Sequence, residues 1–283
     1  MAAEGLAKVS LATADTPFPP GRLLHLGTGD LSVDLAPEAG GRIAQIRYQG
    51  IEQLIGPDDG WPAMIAWGCY PMVPWAGRVR HARFRSGGFA QTLEANMGAH
   101  AIHGVGFALP WDVVEHTPTG ALMTLVLPRD SRWPYGGTAR QSIQVEPDRL
   151  RMTLSVEAGE QPMPVVIGWH PWFRKPERLE FTPVSMYPRD AEGIATLPTG
   201  PARPGPWDDC FHKEGDVILH RGGQRLQLAS DCTHWVVFDG MAHATCVEPQ
   251  SGPPDAFNLY DDVLPAGDVL ERSFVLHWQQ DGA

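Results

Sequence analysis

Four cysteines occur in 283 residues, Cys69, Cys210, Cys232 and Cys246, and no two of them form a C-x-x-C pair. A zinc ribbon is therefore not expected, and a chain of this length buries enough core to need no disulfide framework. No apolar run approaches ~18 residues, so no membrane-spanning helix is expected. The opening MAAEGLAKVSLATADTPFPP has no long apolar core behind a basic start, and no signal peptide is expected. Basic residues are in the minority, 22 Lys and Arg against 33 Asp and Glu, for a formal net charge of −11. Phosphate backbones and anionic membranes reward clustered cations, so neither is an expected partner. The plain expectation is a soluble cytoplasmic protein. Also missing are G-x-S-x-G, H-E-x-x-H and a G-x-G-x-x-G that leaves a strand to open a helix. A serine-hydrolase elbow, a zincin and a dinucleotide site are not expected.

What is present has a period of two. In LRMTLSVE, Leu150, Met152, Leu154 and Val156 alternate with polar residues, the pattern of a strand with one buried face. With SIQV and the turn-rich EPDR before it, residues 142–157 read as a hairpin. LSVDLA and RIAQIRY form a second hairpin, and DVILH and RLQLA across RGGQ a third. ALMTLVL, HWVVFD and RSFVLHW are further strands. Gly (31) and Pro (27) are scattered without a period, as many turns require. No amphipathic helix of convincing length is found, although short helical turns fit 60–67 and 107–113. The expected class is an all-β sandwich or barrel. With no linker and no repeat, one domain is expected over 1–283, with 1–24 as an N-terminal extension or edge segment. Long irregular stretches at 53–80, 96–112 and 185–212 are the places where function is expected.

Five segments carry groups capable of chemistry. They are YPMVPWAGRVRHARF with Arg78 and Arg80, AHAIHGVGF with His100 and His103, and VVIGWHPWF with His170. GPWDDCFH follows with Asp208 and Asp209, and CVEPQSGPPDAFN with Glu248. Each has an ordinary reading. His170 can be a proton carrier, a metal ligand or a hydrogen-bonded core residue. A carboxylate before proline can simply end a strand, and paired Asp is common turn chemistry. A metal set of His100, His103, His170 and Glu248 meets a geometric objection, because strand positions three apart face opposite ways. No metal is expected. Six of the ten tryptophans fall in or near these segments: Trp61, Trp67, Trp75, Trp169, Trp172 and Trp207. Indole faces match the C–H faces of sugars, although core aromatics explain them equally well.

Taken in order, the segments resemble the aldose 1-epimerase (galactose mutarotase) family. GGRIAQIRYQGIEQLI resembles its opening hairpin, and LPAGDVLERSF its closing turn and strand. PMVPWAGRVRHARF is similar to its substrate-arginine loop at Arg78, AIHGVGF to its His-Gly motif at His103, and GWHPWF to its His-Pro motif at His170. WDDCF resembles its sugar-binding aspartate loop at Asp208, and CVEPQSGPPDAFN its catalytic glutamate motif at Glu248. The resemblance covers about residues 25–278. Two departures stand out: Gly77 where the family often has Asn, and Trp172 where it often has Tyr.

The resemblance implies a large antiparallel β-sandwich of the galactose mutarotase type, with no cofactor and a free hexose as substrate. It implies Glu248 as base and His170 as acid, with His103 and Arg78 orienting the sugar and Asp208 binding its hydroxyls. The chemistry fits these groups, since opening a hemiacetal needs only a base at the C1 hydroxyl and an acid at the ring oxygen. A bell-shaped pH profile follows, its acid limb from Glu248 and its basic limb from His170. Alternatives are a non-catalytic sugar-binding protein on the same fold and an epimerase of hexose 6-phosphates. The acidic balance and the few cations, Arg78, Arg80 and Arg83, favour neutral sugars.

Overall fold

The computed structural model describes residues 13–280. Residues 1–12 of the expected N-terminal extension lie outside that range. In chain order the strands are β1 (Leu24–Thr28), β2 (Leu31–Ala36), β3 (Arg42–Tyr48), β4 (Ile51–Glu52), β5 (Cys69–Met72), β6 (Arg78–Val79) and β7 (Arg83–Ser86). Then come β8 (Phe89–Thr92), β9 (Ala101–Ile102), β10 (Asp112–His116), β11 (Gly120–Val126), β12 (Thr138–Glu146), β13 (Arg149–Glu157) and β14 (Gly168–Arg174). The last six are β15 (Arg178–Met186), β16 (Asp208–Arg221), β17 (Gln224–Ser230), β18 (His234–Phe238), β19 (Ala244–Gln250) and β20 (Val269–Gln280). The one α-helical turn among the described residues, α1, covers Ala256–Leu259.

All three expected hairpins form: β2 with β3, β12 with β13, and β16 with β17. The expected helical turns do not. Around 60–67 the N–H groups of Met64 and Ile65 donate instead to Thr16 and Ala14. Around 107–113, Pro110 has no N–H to give, and Trp111 donates to Pro37.

The main sheet runs β1-β2-β3-β5-β14-β19-β18-β16-β17-β20-β13-β12-β11-β10. Its ends approach each other, since Gly27 N–H donates to Pro118 O at 2.8 Å just beyond β10. The structure is an antiparallel sandwich of the galactose mutarotase type. Side-chain alternation decides what each face does. On β14, Trp169 turns into the core, packs on Phe274 of β20 at 5.7 Å between centroids, and donates to Gln141 of β12. Its neighbour His170 turns to the other face, which loops cover.

Arg42 is buried with no carboxylate beside it among the described residues. Its guanidinium donates to the carbonyls of Ala39, Met64, Trp67 and Phe107 and lies under the rings of Trp67 and Tyr70. Burial holds its pKa down at about 9. One cation thereby ties β3 to two long loops through their carbonyls, a fixed frame beneath the covered face.

Candidate active site

The covered face carries one row of side chains across five strands. Tyr70 on β5 pairs in register with His170 on β14. Gly168 pairs with Gln250 and Trp172 with Cys246, which places His170 opposite Glu248 of β19. Glu248 pairs with Val236 on β18, and Val236 with Cys210 on β16. Nε2 of His170 lies 3.2 Å from Oε1 of Glu248. Two residues 78 positions apart thus meet because β14 and β19 are sheet neighbours.

His170 lies between Tyr70, stacked at 4.8 Å, and Trp172, stacked at 5.4 Å. Gln250, also buried, donates from Nε2 to Oε2 of Glu248 at 3.1 Å. Burial pushes Glu248 well above the usual carboxylate range, helped by the nearby charge of Asp208. Burial also holds His170 down at about 3. Both shifts disfavour the charged form. The surroundings thus favour a neutral imidazole beside a carboxylic acid over the ion pair.

His103 comes from the loop after β9. It takes a left-handed backbone, φ 58°, and its ring meets His170 edge-on at 4.9 Å. Its Nδ1 accepts from Gly77 N–H at 3.3 Å, which leaves Nε2 to carry the proton of the neutral ring. Burial, His170 and Arg78 all keep His103 neutral, well below its ordinary pKa. Gly104 follows at φ +75°, where a Cβ would sit 1.9 Å from Val73 O. Only glycine lets the two loops touch there.

Arg78 stands on β6, paired with Ile102 of β9. Its carbonyl accepts from Asp255 N–H at 2.8 Å, so the PPDAFN end of the glutamate segment fixes the arginine strand. Its guanidinium has no carboxylate within 4 Å among the described residues and lines the cavity. Gly77 before it has φ +68°, a conformation that Asn adopts more often than most other non-glycine residues. Pro254 sits 2.6 Å from where a Cβ would be, filling the room an Asn side chain would need.

These groups line a cavity of about 220 Å³. That is the scale of one small polar molecule. Arg78, His103, His170, Asp208 and Glu248 all face it. His100 does not. Its Nδ1 accepts from His81 N–H outside the cavity, so the His100/His103 pair does not converge on a common point. Among the described residues, the group able to hold a metal ion is a different one: His170, Cys246 and Glu248, with donor atoms all within 4.8 Å.

For most of the six tryptophans the structure favours the core alternative. Trp67, Trp75 and Trp169 are core residues, fully or almost fully buried. Trp61 stacks on His243, and Trp207 is held by Arg203 O. Trp172 alone of the six lines the cavity. Alternation on β14 explains why Trp169 cannot flank His170: adjacent strand residues face opposite ways, and Tyr70 takes that place.

The sequence reading missed Arg189. It reaches the cavity from the irregular stretch after β15, and its Nη1 meets Asp208 Oδ2 at 2.8 Å. That stretch is tied down by Arg80, which meets Asp190 and Glu192 at 2.5 and 2.7 Å and Asp255 at 3.6 Å. Arg80 is therefore a structural clasp. Asp209 is buried and pairs with Arg203, whereas Asp208 keeps an exposed edge. No periodicity marks Arg189, and only its place in a long loop hinted at function.

The model of the family described as aldose 1-epimerase matches residues 22–202. That span holds Arg78, His103 and His170 but ends before Asp208 and Glu248. The uncharacterised protein YphB of Escherichia coli K12 is 29% identical over 151 residues, 52% of this chain and 50% of YphB. The chain thus matches about half the length of that relative. A galactose mutarotase-like protein from Clostridium acetobutylicum has a similar structure, with TM-score 0.79 at 16% identity, covering 91% of this chain and 95% of its own. Galactose 1-epimerase from Lactobacillus acidophilus NCFM gives TM-score 0.76 at 15% identity over the same shares. At such identities the likeness concerns the fold. No helix among the described residues is long and apolar enough to cross a membrane.

Proposed function

Because the chain belongs to the aldose 1-epimerase family, we propose that it interconverts the α and β anomers of a free hexose, with Glu248 and His170 as the proton-transfer pair. The observation that carries this reading is their 3.2 Å contact at the wall of a cavity of monosaccharide scale. The pair holds one transferable proton. Burial keeps it on Glu248 at rest. Sugar hydroxyls and the positive charge of Arg78 favour the carboxylate, and the proton crosses to His170.

Glu248 then takes the proton of the C1 hydroxyl as C1=O1 forms. The C1–O5 bond breaks, and His170 gives its proton to O5. The pair is now again a carboxylic acid and a neutral imidazole, with no proton gained or lost. Rotation about C1–C2 presents the other carbonyl face, and the same transfers run backwards to close the ring. No covalent intermediate is formed with the chain. Nε2–H of His103 and the Arg78 guanidinium donate to the oxygens between which charge moves. Asp208, held by Arg189, accepts from sugar hydroxyls.

A neutral hexose is the proposed substrate. Arg80 and Arg189 are already matched to carboxylates, which leaves Arg78 as the cavity's unmatched cation. One functional unit over 1–283 and a cytoplasmic setting belong to the same proposal, and the continuous strand order supports the former. Polarimetry of freshly dissolved α-D-glucose and α-D-galactose tests the reading, with enzyme-dependent acceleration expected. Sugar binding without acceleration would favour a non-catalytic sugar-binding protein. A much higher kcat/KM on glucose 6-phosphate than on both free sugars would overturn the substrate class.

A further inference from the structure

We propose that His170, Cys246 and Glu248 form a binding site for a thiophilic divalent cation of the Zn²⁺ type, whose occupancy blocks the site. The block rests on the functional reading above; the binding does not. Sheet geometry brings the donors together. Cys246 and Glu248 are two apart on β19 and so share a face, and His170 stands opposite Glu248 on β14. All three are buried, with His170 Nε2 and Glu248 Oε1 already 3.2 Å apart and all donor atoms within 4.8 Å. Tetrahedral bonds of about 2.0–2.3 Å set donors about 3.4–3.7 Å apart, so modest side-chain shifts close the set. His170 and Glu248 line the cavity and Cys246 does not, so an ion enters between the first two and keeps its fourth position toward the cavity.

The donor set selects the ion. One thiolate, one imidazole and one carboxylate favour Zn²⁺ or Cd²⁺ over Mg²⁺ or Ca²⁺, which want oxygen alone. Binding releases the thiol proton and the carboxyl proton as the M–S and M–O bonds form. The resulting complex is neutral, two negative ligands on a dication, which suits a buried place. Arg78 opposes the incoming charge and Asp208 offsets it. The site is not built as a resident cofactor centre. A metal-bound imidazole normally donates its second N–H to an acceptor, and Nδ1 of His170 has no hydrogen-bond partner among the described residues. The ion is therefore a competitor of the sugar. The four cysteines are isolated in sequence, and only the register of β19 against β14 reveals that Cys246 adjoins the proton-transfer pair.

The test titrates Co²⁺, as an optical stand-in for Zn²⁺, into chelator-treated full-length protein. Wild type is expected to develop a thiolate-to-cobalt charge-transfer band that Zn²⁺ abolishes by displacement. Cys246→Ser is expected to lose the band and weaken Co²⁺ binding by at least about ten-fold. Cys210→Ser, at a cysteine that lines the cavity, retains the band. Circular dichroism confirms that the variants are folded. In the activity arm, Zn²⁺ slows wild-type mutarotation competitively with sugar and spares Cys246→Ser. No band in wild type, or a band that survives Cys246→Ser, overturns the site. A protein that binds Co²⁺ as described but never accelerates mutarotation would sink the functional reading and leave the metal site standing.

Discussion

His170 and Glu248 face each other at 3.2 Å across neighbouring strands, both buried and both shifted toward their neutral forms. Two groups this close titrate as a unit. The unit has one productive state, with one proton shared, and loses it when a second proton is added or the last is removed.

The pH profile of metal-free enzyme follows from that state. The expectation from sequence placed the acid limb on Glu248 and the basic limb on His170. The directions of the two shifts favour the opposite assignment. The second proton goes on at His170, held down at about 3, and the last leaves from Glu248, raised well above 4.5. Because kcat/KM reports the free enzyme, it should show no acid limb down to about pH 5. The basic limb should vanish in whatever activity Glu248→Gln retains. An acid limb near the ordinary imidazole value of about 6.5 would contradict this.

Glu248→Gln should also stabilise the fold. Between 4.5 and its raised native value, Glu248 binds its proton in the native state but not in the unfolded chain. Stability therefore falls as pH rises through that window. Gln removes the cost while keeping the shape and the bond from Gln250. The variant should melt above wild type at pH 8, with the gap shrinking toward pH 5. A variant that melts lower than wild type at pH 8 would refute the assignment of cost to the buried carboxyl.

Gly104→Ala should lose both activity and stability. A Cβ there meets Val73 O at 1.9 Å in a backbone conformation that alanine resists. Relief requires moving the loop that holds His103. A fall in urea midpoint together with a ten-fold or larger loss in kcat/KM is expected, and wild-type behaviour in both would contradict the loop contact.

Arg42→Met should destabilise by more than about 3 kcal/mol, since an unsatisfied buried acceptor costs about 1–3 kcal/mol and four carbonyls lose their donor. Equilibrium urea unfolding measures it. A change under about 1 kcal/mol would show that those carbonyls find other donors.

Much of this was readable in the chain. Alternation at Leu150, Met152, Leu154 and Val156 marks β13, and turn residues mark each hairpin. The His-Gly, His-Pro and Glu-Pro segments all reach one cavity. What escaped has a common cause. Which strands become neighbours is not a local property, so neither the Cys246 contact nor the row from Tyr70 to Cys210 is visible in any one segment. Arg189 lies in irregular chain with no period to read. The tryptophans left two readings open because composition carries no facing, although counting by twos from His170 sends Trp169 into the core and Trp172 to the site. Helical turns at 60–67 failed because the N-terminal segment supplies the hydrogen-bond acceptors there.

In the proposed reaction Glu248 and His170 exchange a proton with the sugar. The most direct measurement is the anomer-exchange rate of the preferred free hexose, by NMR at saturating sugar, for wild type, Glu248→Gln, His170→Asn and the double variant, each verified as folded. Each single variant should lose about 10²–10⁴-fold in kcat. The double variant should lose far less than the product of the two, because the residues act as one unit. Near-normal kcat in either folded single variant would contradict the role given to that residue.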